Sequence, residues 1–334
     1  MWFVVYFQVR KDKKGQMDTI LKGLIVSENP DNIKKDLLNK IASQAGRDQA
    51  PGMVEAVLDL TAKWYLESQS PLHQHYGREI YTSWARHNVQ LFEQFFNKEL
   101  LLHVLSKRNA NAGLLLLESM KILQVTSLFR NHCTIIEAKA VSYVREHPVL
   151  ECLTNFSEFL IEFKECIPKG EATLQFCTNF IRSLSLCSPP DNVNEILGYV
   201  KSVKKVSTLL SHIWTSTDNQ TILACLKEIF TIISMPCDVE PSLCLGSLLP
   251  YLPSELINTV VRNAIHDSSI DNNSMVTALQ RIIDWLQGPT ARFVDTWVIE
   301  FLKGLASVQK YSILITVTEN KVDQVKLARM NRES

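Results

Sequence analysis

Glycine, net charge and long apolar runs are all in short supply in this chain of 334 residues. Its 11 glycines form no phosphate-binding loop of either standard spacing, so no nucleotide site is predicted. Lys and Arg together number 35, as do Asp and Glu, and this balance leaves no net field to attract nucleic acid or an anionic membrane. No apolar run reaches transmembrane length without a charge. We therefore expect no nucleic acid and no membrane among its partners.

Cysteine is absent before Cys133, and the eight cysteines lie between that residue and Cys244, mostly among Leu, Ile and Phe. This spread differs from the dense cysteine framework of a small secreted disulfide protein. Residues 1–7 (MWFVVYF) lack the preceding basic segment and the cleavage site of a signal peptide. These features predict buried free thiols in a reducing, intracellular compartment, cytoplasmic or nuclear.

The histidines and cysteines form no recognisable metal or catalytic motif. There is no CxxC, and His73 and His75, the one close histidine pair, would diverge at i and i+2 on a helix. Asn131, His132 and Cys133 supply the residue types of a cysteine hydrolase, but adjacent helical side chains point in different directions. We expect a satisfied core or groove-edge histidine at each isolated position, namely His103, His132, His147 and His212.

Local clusters of charge are interpreted as solvated helix faces. Glu158 and Glu162 lie one turn apart and have the chemistry of an acid–base pair, but no pocket-forming loop accompanies them. The lysines within residues 10–14 and 201–205 lack the interleaved aromatic side chains that favour nucleic-acid binding. The residues themselves thus predict no catalytic residue, no cofactor-binding residue and no metal ligand.

The apolar residues that are present recur with a helical period. Three examples are the series Met275, Leu279, Ile282, Ile283 and Leu286, the series Phe293, Trp297, Phe301 and Leu305, and the cluster Leu91, Phe92, Phe95 and Phe96. The dipeptide Ser70-Pro71 predicts a helix start, because proline at the first position loses no hydrogen bond. His147-Pro148 and Ile167-Pro168 predict breaks between helices.

These signals predict an all-α chain of about fifteen helices joined by short polar loops. Residues 312–317 (SILITV) have the β-branched content of a strand, but a lone strand cannot satisfy its backbone, so helix is predicted there too. Helix pairs recur about every 40 residues, which favours a HEAT/armadillo-like helical repeat, an α-solenoid. A compact all-α bundle is the alternative. The concave face of a solenoid would be the surface that binds partners.

Aromatic side chains at helical spacing are interpreted as core between helices rather than as the lining of a peptide groove. They are Trp64, Tyr65, Trp84, Trp214, Trp285 and Trp297.

Several segments together resemble the non-catalytic N-terminal region of a family of ubiquitin-specific proteases, that of ubiquitin carboxyl-terminal hydrolase 38, with its paralogue ubiquitin carboxyl-terminal hydrolase 35 less similar. The segments are residues 17–27 (MDTILKGLIVS), 95–98 (FFNK), 166–170 (CIPKG), 206–214 (VSTLLSHIW), 282–286 (IIDWL) and the dense apolar stretch 294–317. The resemblance covers about residues 17–325. It implies a disordered upstream extension at 1–16, a helical repeat region at 17–325 and a tail outside the family at 326–334 (KLARMNRES).

The resemblance also implies a function. Members of this family continue into a papain-like catalytic domain, whose Asn-x-x-x-Asn-x-Cys box and histidine box are absent from this sequence. We therefore expect a product truncated before the catalytic domain, with a tail read through a splice donor. Such a chain would not be an enzyme but an interaction module of a deubiquitinase, and its solenoid surface would bind protein partners or ubiquitinated substrates. An independent scaffold unrelated to ubiquitin is the alternative, and an active cysteine hydrolase is a third possibility.

Overall fold

The computed structural model describes residues 51–106, 109–187 and 193–218, together with 41–43, 45, 220–222, 224, 225, 228 and 232. Within these ranges the regular structure is helical, and no strand occurs. The all-α prediction is therefore confirmed for the part of the chain that the structure describes. The predicted helix at 312–317 and the apolar stretch at 293–317 lie outside it.

The chain divides into two compact units, residues 1–132 and residues 133–334. The helices that lie in unit 1 are α1 (Pro51–Glu67), α2 (Pro71–His87), α3 (Val89–Phe95), α4 (Leu101–Ser106) and α5 (Ala112–Leu123), with a π-helical turn (Phe96–Leu100) between α3 and α4. Helix α6 (Phe129–Glu146) begins in unit 1 and continues in unit 2. Unit 2 also contains α7 (Leu150–Glu162), a 3-10 turn (Lys164–Cys166), α8 (Glu171–Ser185) and α9 (Val193–Thr215).

Proline marks the helix boundaries where the sequence predicted them. Helix α2 starts at Pro71, and Ser70 before it has extended backbone with φ −86° and ψ 119°. Helix α6 ends before His147-Pro148, and the segment around Ile167-Pro168 separates the 3-10 turn from α8. None of the described helices is long and apolar enough to cross a membrane.

Close approach of α1 and α2 organises unit 1. A methyl group added at Gly77 of α2 would lie 2.9 Å from the carbonyl oxygen of Thr61 and 3.0 Å from the amide nitrogen of Tyr65, both on α1. The largest buried side chains next to this contact are Tyr81 and Trp84, which are 0% exposed. The Tyr81 ring meets Phe92 of α3 edge to face at 5.6 Å. Glycine at position 77 thus lets α1 and α2 approach closely, because any larger side chain would clash with the backbone of α1.

Unit 2 is built around α7, which is buried on nearly every side. Phe156 and Phe159 of this helix are fully buried, and Tyr143 of α6 packs on Phe156 with ring centroids 4.2 Å apart. Helix α7 contacts both α8 and α9. Its polar residues Thr154 and Ser157 remain hydrogen-bonded because each hydroxyl donates to the carbonyl four residues earlier, at 2.7 Å. A helix with this composition is stable only when others surround it.

Long-range hydrogen bonds in unit 1 join side chains to backbone carbonyls far earlier in the chain. Trp84 Nε1 donates to the carbonyl of Ile41 at 3.1 Å, across 43 residues of sequence. Asn88 Nδ2 donates to the carbonyl of Ala45 at 3.4 Å across the same span, and Asn111 Nδ2 reaches the carbonyl of Tyr65 at 2.9 Å across 46 residues. The carbonyl of Tyr65 lies in the last turn of α1, where a helix leaves its carbonyls without an internal partner, and Asn111 supplies a partner there.

Unit 2 shows a similar spacing. The hydroxyl of Ser183 donates to the carbonyl of Val144 at 2.6 Å, across 39 residues. The ammonium of Lys205 binds the carboxylate of Glu158 across 47 residues. Within each unit, the described long-range hydrogen bonds that do not join two thiols therefore span 35 to 47 residues.

Candidate functional site

The described cysteines are all buried thiols that form no disulfide bond: Cys133, Cys152, Cys166, Cys177, Cys187 and Cys225. Burial raises the pKa of Cys152 to about 11, and it raises the pKa of Cys166 well above the ordinary value for a thiol. Thiols in this state are protonated at neutral pH and are weak nucleophiles. The prediction of buried thiols outside disulfide bonds is confirmed at these six positions.

Four of these thiols form two pairs that the sequence does not predict. A hydrogen bond joins the thiols of Cys133, on α6, and Cys166, in the 3-10 turn. A second joins Cys177, on α8, and Cys225, and it raises the pKa of Cys177 together with burial. Both pairs lie inside unit 2 and act there as small buried side chains with weak donors.

Asn131, His132 and Cys133 are not brought together as a hydrolase would require. The ring nitrogens of His132 have no hydrogen-bond partner among the described residues. The Cys133 thiol bonds to Cys166 instead, and burial raises its pKa. The arrangement therefore lacks both the thiolate and the base of a cysteine nucleophile.

His73 and His75 do not converge on a common site either. His73 stacks on Trp64 with ring centroids 5.1 Å apart and interacts with the Ser68 hydroxyl at 3.2 Å, whereas His75 lies 3.7 Å from a carboxylate oxygen of Glu79. In the described ranges, no group of three His, Cys, Asp or Glu side chains is arranged to hold a metal ion.

The expectation that each isolated histidine is a satisfied core or groove-edge residue holds for some of these positions and not for others. His147 is buried, and its Nδ1 bonds to the carbonyl of Tyr143 at 2.7 Å. His103 lies 3.9 Å from Glu67 at a half-buried position. The expectation of a satisfied histidine is wrong for His132, which is buried without a hydrogen bond, and His212 is exposed on α9.

The aromatic side chains lie mainly in the core. Trp84 and Trp214 are 0% and 1% exposed, and Tyr65 is 5% exposed, so these three contribute to packing and not to an open groove. Trp285 and Trp297 lie outside the described residues. The basic run on α9 is exposed at Lys201 and Lys204.

The most unusual polar site is the one around His132, which we call the His132 cluster: Glu93, Phe96, Leu128 and His132. The His132 ring is 0% exposed and meets the Phe96 ring edge to face, with centroids 5.3 Å apart and an interplanar angle of 87°. Glu93 Oε1 accepts a hydrogen bond from the amide of Leu128 at 3.2 Å. Burial lowers the pKa of His132, and the Glu93 charge opposes that change.

The His132 cluster lies where the helix α3–α4 departs from α-helical geometry. Phe96 is the first residue of the π-helical turn, and the amide of Leu101 after the turn bonds back to the Phe96 carbonyl. π-Helical turns inside longer helices occur frequently at functional sites. The apolar run at Phe92, Phe95 and Phe96 marks a core face in the sequence, but no sequence signal marks the wider turn.

Similarity to known proteins decides the family. The sequence pattern of the family described as "Ubiquitin carboxyl-terminal hydrolase 38-like, N-terminal domain" matches residues 64–330. The chain belongs to this family. Human ubiquitin carboxyl-terminal hydrolase 35 is 29% identical to it over 314 residues, which make up 92% of this chain and 31% of the human protein. The chain therefore spans less than a third of the length of that relative. The resemblance inferred from the sequence is confirmed.

Proposed function

We propose that this chain is a non-catalytic interaction module of a deubiquitinase, which positions protein partners or ubiquitinated substrates for removal of ubiquitin by a catalytic domain. Family membership supports this proposal, because the matching family is an N-terminal domain of ubiquitin carboxyl-terminal hydrolase 38-like proteins. The human relative carries the name of a ubiquitin hydrolase. As its sequence suggests, the module would work inside the cell, in the cytoplasm or nucleus, on protein and not on nucleic acid or membrane.

The spacing of hydrogen bonds within each unit is the observation that supports an interaction module most. Trp84 with Ile41 and Ser183 with Val144 are 43 and 39 residues apart, close to the repeat of about 40 residues in HEAT and armadillo proteins. In such repeats each helix pair contacts its neighbours and leaves a continuous surface exposed. We infer that the chain is a HEAT/armadillo-like helical repeat and that this surface binds protein.

The chemistry of the described residues favours binding over hydrolysis. Catalysis by a cysteine requires a thiolate and a histidine within hydrogen-bond reach. The Cys133 thiol bonds to Cys166, and the pKa of Cys166 is raised by burial. These thiols would have to move out of the core before they could attack a substrate.

A ubiquitin probe that carries an electrophile at its C-terminus tests the absence of hydrolase activity. Purified chain should form no covalent adduct at neutral pH, whereas the human relative, tested in parallel, should be labelled. Adduct formation at any of the eight cysteines of this chain would overturn the proposal in favour of a cysteine hydrolase.

Competition tests the binding role. Excess purified chain should inhibit cleavage of ubiquitin from protein conjugates by the human relative, because the two would share partners. It should leave cleavage of a small fluorogenic ubiquitin derivative unchanged, since that substrate offers no partner surface. An unrelated helical-repeat protein at the same concentration is the control. Equal inhibition by both proteins, or none by the chain, would favour a scaffold unrelated to ubiquitin.

A further inference from the structure

The His132 cluster contains a titratable side chain whose present environment suits only its neutral form. His132 is fully buried, and neither ring nitrogen has a hydrogen-bond partner among the described residues. Its described ring contact is the edge-to-face pair with Phe96. A buried polar group left without a partner costs free energy, and a buried charge without a partner costs much more. Taking up a proton would therefore destabilise this packing.

The charges near the ring offer little compensation. Glu93 on α3 is the charged side chain whose field reaches the ring, and its Oε1 already accepts the hydrogen bond from Leu128. On α5, which packs against α3, the carboxylate of Glu118 is bound by Arg78. Arg130, on the same helix as His132, is exposed to solvent. A protonated ring would thus depend on one carboxylate that has another partner.

The backbone next to the His132 ring is the place where we expect local opening to begin. Phe96 opens the π-helical turn, in which the regular hydrogen-bond pattern between α3 and α4 is interrupted. The Leu128 amide that binds Glu93 lies directly before α6. The ring contact of Phe96 with His132 therefore joins the π-helical turn to α6, and the Glu93–Leu128 hydrogen bond joins α3 to the residue before α6.

We propose that His132 forms an acid-sensitive contact between the π-helical turn and the start of α6. When its ring takes up a proton, this contact breaks, and unit 1 opens there reversibly as the pH falls. In the open state Phe96 would be exposed, and the Glu93 carboxylate would be able to form an ion pair with the protonated imidazole of His132. This device is independent of the proposed function in ubiquitin removal.

The direction of the pH dependence follows from proton linkage. Burial lowers the pKa of His132 in the closed state, while the ring in the open state has its ordinary pKa of about 6.5. The open state therefore binds more protons, and closure is favoured above that pH and weakened as the pH falls through it. One proton can raise the opening constant by up to about tenfold for each pH unit below this value.

Hydrogen exchange followed by mass spectrometry measures this opening in the full chain. After correction for the intrinsic exchange rate, peptides from residues 89–106 should show an opening constant that rises up to about fivefold between pH 6.5 and pH 5.5. Peptides from α9, in unit 2, should show no comparable change and serve as the internal reference. No acid-induced rise at residues 89–106 would overturn the proposal.

Three variants identify the responsible group. His132→Phe preserves an aromatic edge against Phe96 but takes up no proton, so the acid response should fall below about twofold. His87→Gln, at an exposed position of α2, is the matched histidine control and should retain the full response. An unchanged response in His132→Phe would contradict the assignment.

Glu93→Gln covers the case in which His132→Phe fails to fold. Its amide oxygen still accepts the bond from Leu128, but the charge that favours protonated His132 is removed. The acid response of Glu93→Gln should therefore be as large as that of the wild type or larger. Loss of the response in this variant would show that Glu93 is the titrating group, and the proposal would be wrong.

Discussion

Replacing Gly77 with alanine should destabilise unit 1, even though alanine is the better helix former. Gly77 lies in α2, and a Cβ at this position would meet the Thr61 carbonyl oxygen at 2.9 Å and the Tyr65 amide nitrogen at 3.0 Å. Both atoms belong to the backbone of α1, so they cannot move away by a change of rotamer as a flexible side chain can. The two helices would have to separate.

The magnitude follows from two opposing effects. Alanine in place of glycine inside a helix stabilises by up to about 1 kcal/mol. Overpacking a tight contact costs about 1–3 kcal/mol. Because the neighbours at Gly77 are backbone atoms, the steric effect should dominate, with a net loss of about 1–2 kcal/mol. Positive φ is not involved, since Gly170 is the glycine with that geometry among the described residues.

Gly198→Ala is the matched control. Gly198 lies inside α9, is exposed, and has nothing within 4 Å of an added Cβ. This variant should gain up to about 1 kcal/mol from helix propensity alone. The two substitutions are chemically identical, so their difference isolates the steric effect at the α1–α2 contact.

Urea unfolding by circular dichroism gives the overall change for both variants, and hydrogen exchange of α1 and α2 peptides locates it in unit 1. Protection of α1 and α2 should fall in Gly77→Ala and remain unchanged in Gly198→Ala. A Gly77→Ala chain as stable as the wild type, with unchanged protection of these helices, would refute the packing argument.

The other predictions concern buried polar groups. Ser183→Ala removes the hydroxyl that binds the Val144 carbonyl at 2.6 Å and should cost about 1–2 kcal/mol in urea unfolding. Thr208→Ala, which removes an exposed local bond to Lys204, should change stability by less than about 0.5 kcal/mol, and equal losses would contradict the role of the inter-helix bond. Iodoacetamide at pH 8 should leave Cys152 unmodified in the folded chain, because burial raises its pKa to about 11. Mass spectrometry should find labelling there only in denaturant, and rapid native labelling would be inconsistent with the described burial.

Local features of the fold could be predicted from the sequence because they depend on neighbouring residues. Proline fixes the start of α2 at Pro71, and the spacing of Phe92, Phe95 and Phe96 defines a face that is buried in the structure. The family could be inferred because several segments together carry its pattern, although those at 282–286 and 294–317 lie outside the described residues.

Long-range features could not be predicted in this way. The thiol pair of Cys133 and Cys166 and the bond from Ser183 to Val144 join residues that are far apart in sequence, and helical periodicity says which face is buried but not which side chains meet there. His132 was expected to be a satisfied histidine, since buried polar groups usually are. The π-helical turn at Phe96 places an apolar ring against it instead, and that local geometry has no sequence signal.

A domain exchange with the human relative tests the central proposal most directly. The segment of ubiquitin carboxyl-terminal hydrolase 35 that aligns with this chain, 31% of that protein, would be deleted or replaced by this chain. Both products should cleave a small fluorogenic ubiquitin derivative equally. The deleted protein should lose cleavage of ubiquitin from protein conjugates, and the exchanged chain should restore it. Undiminished cleavage of conjugates after deletion would contradict a role for this module in positioning substrates.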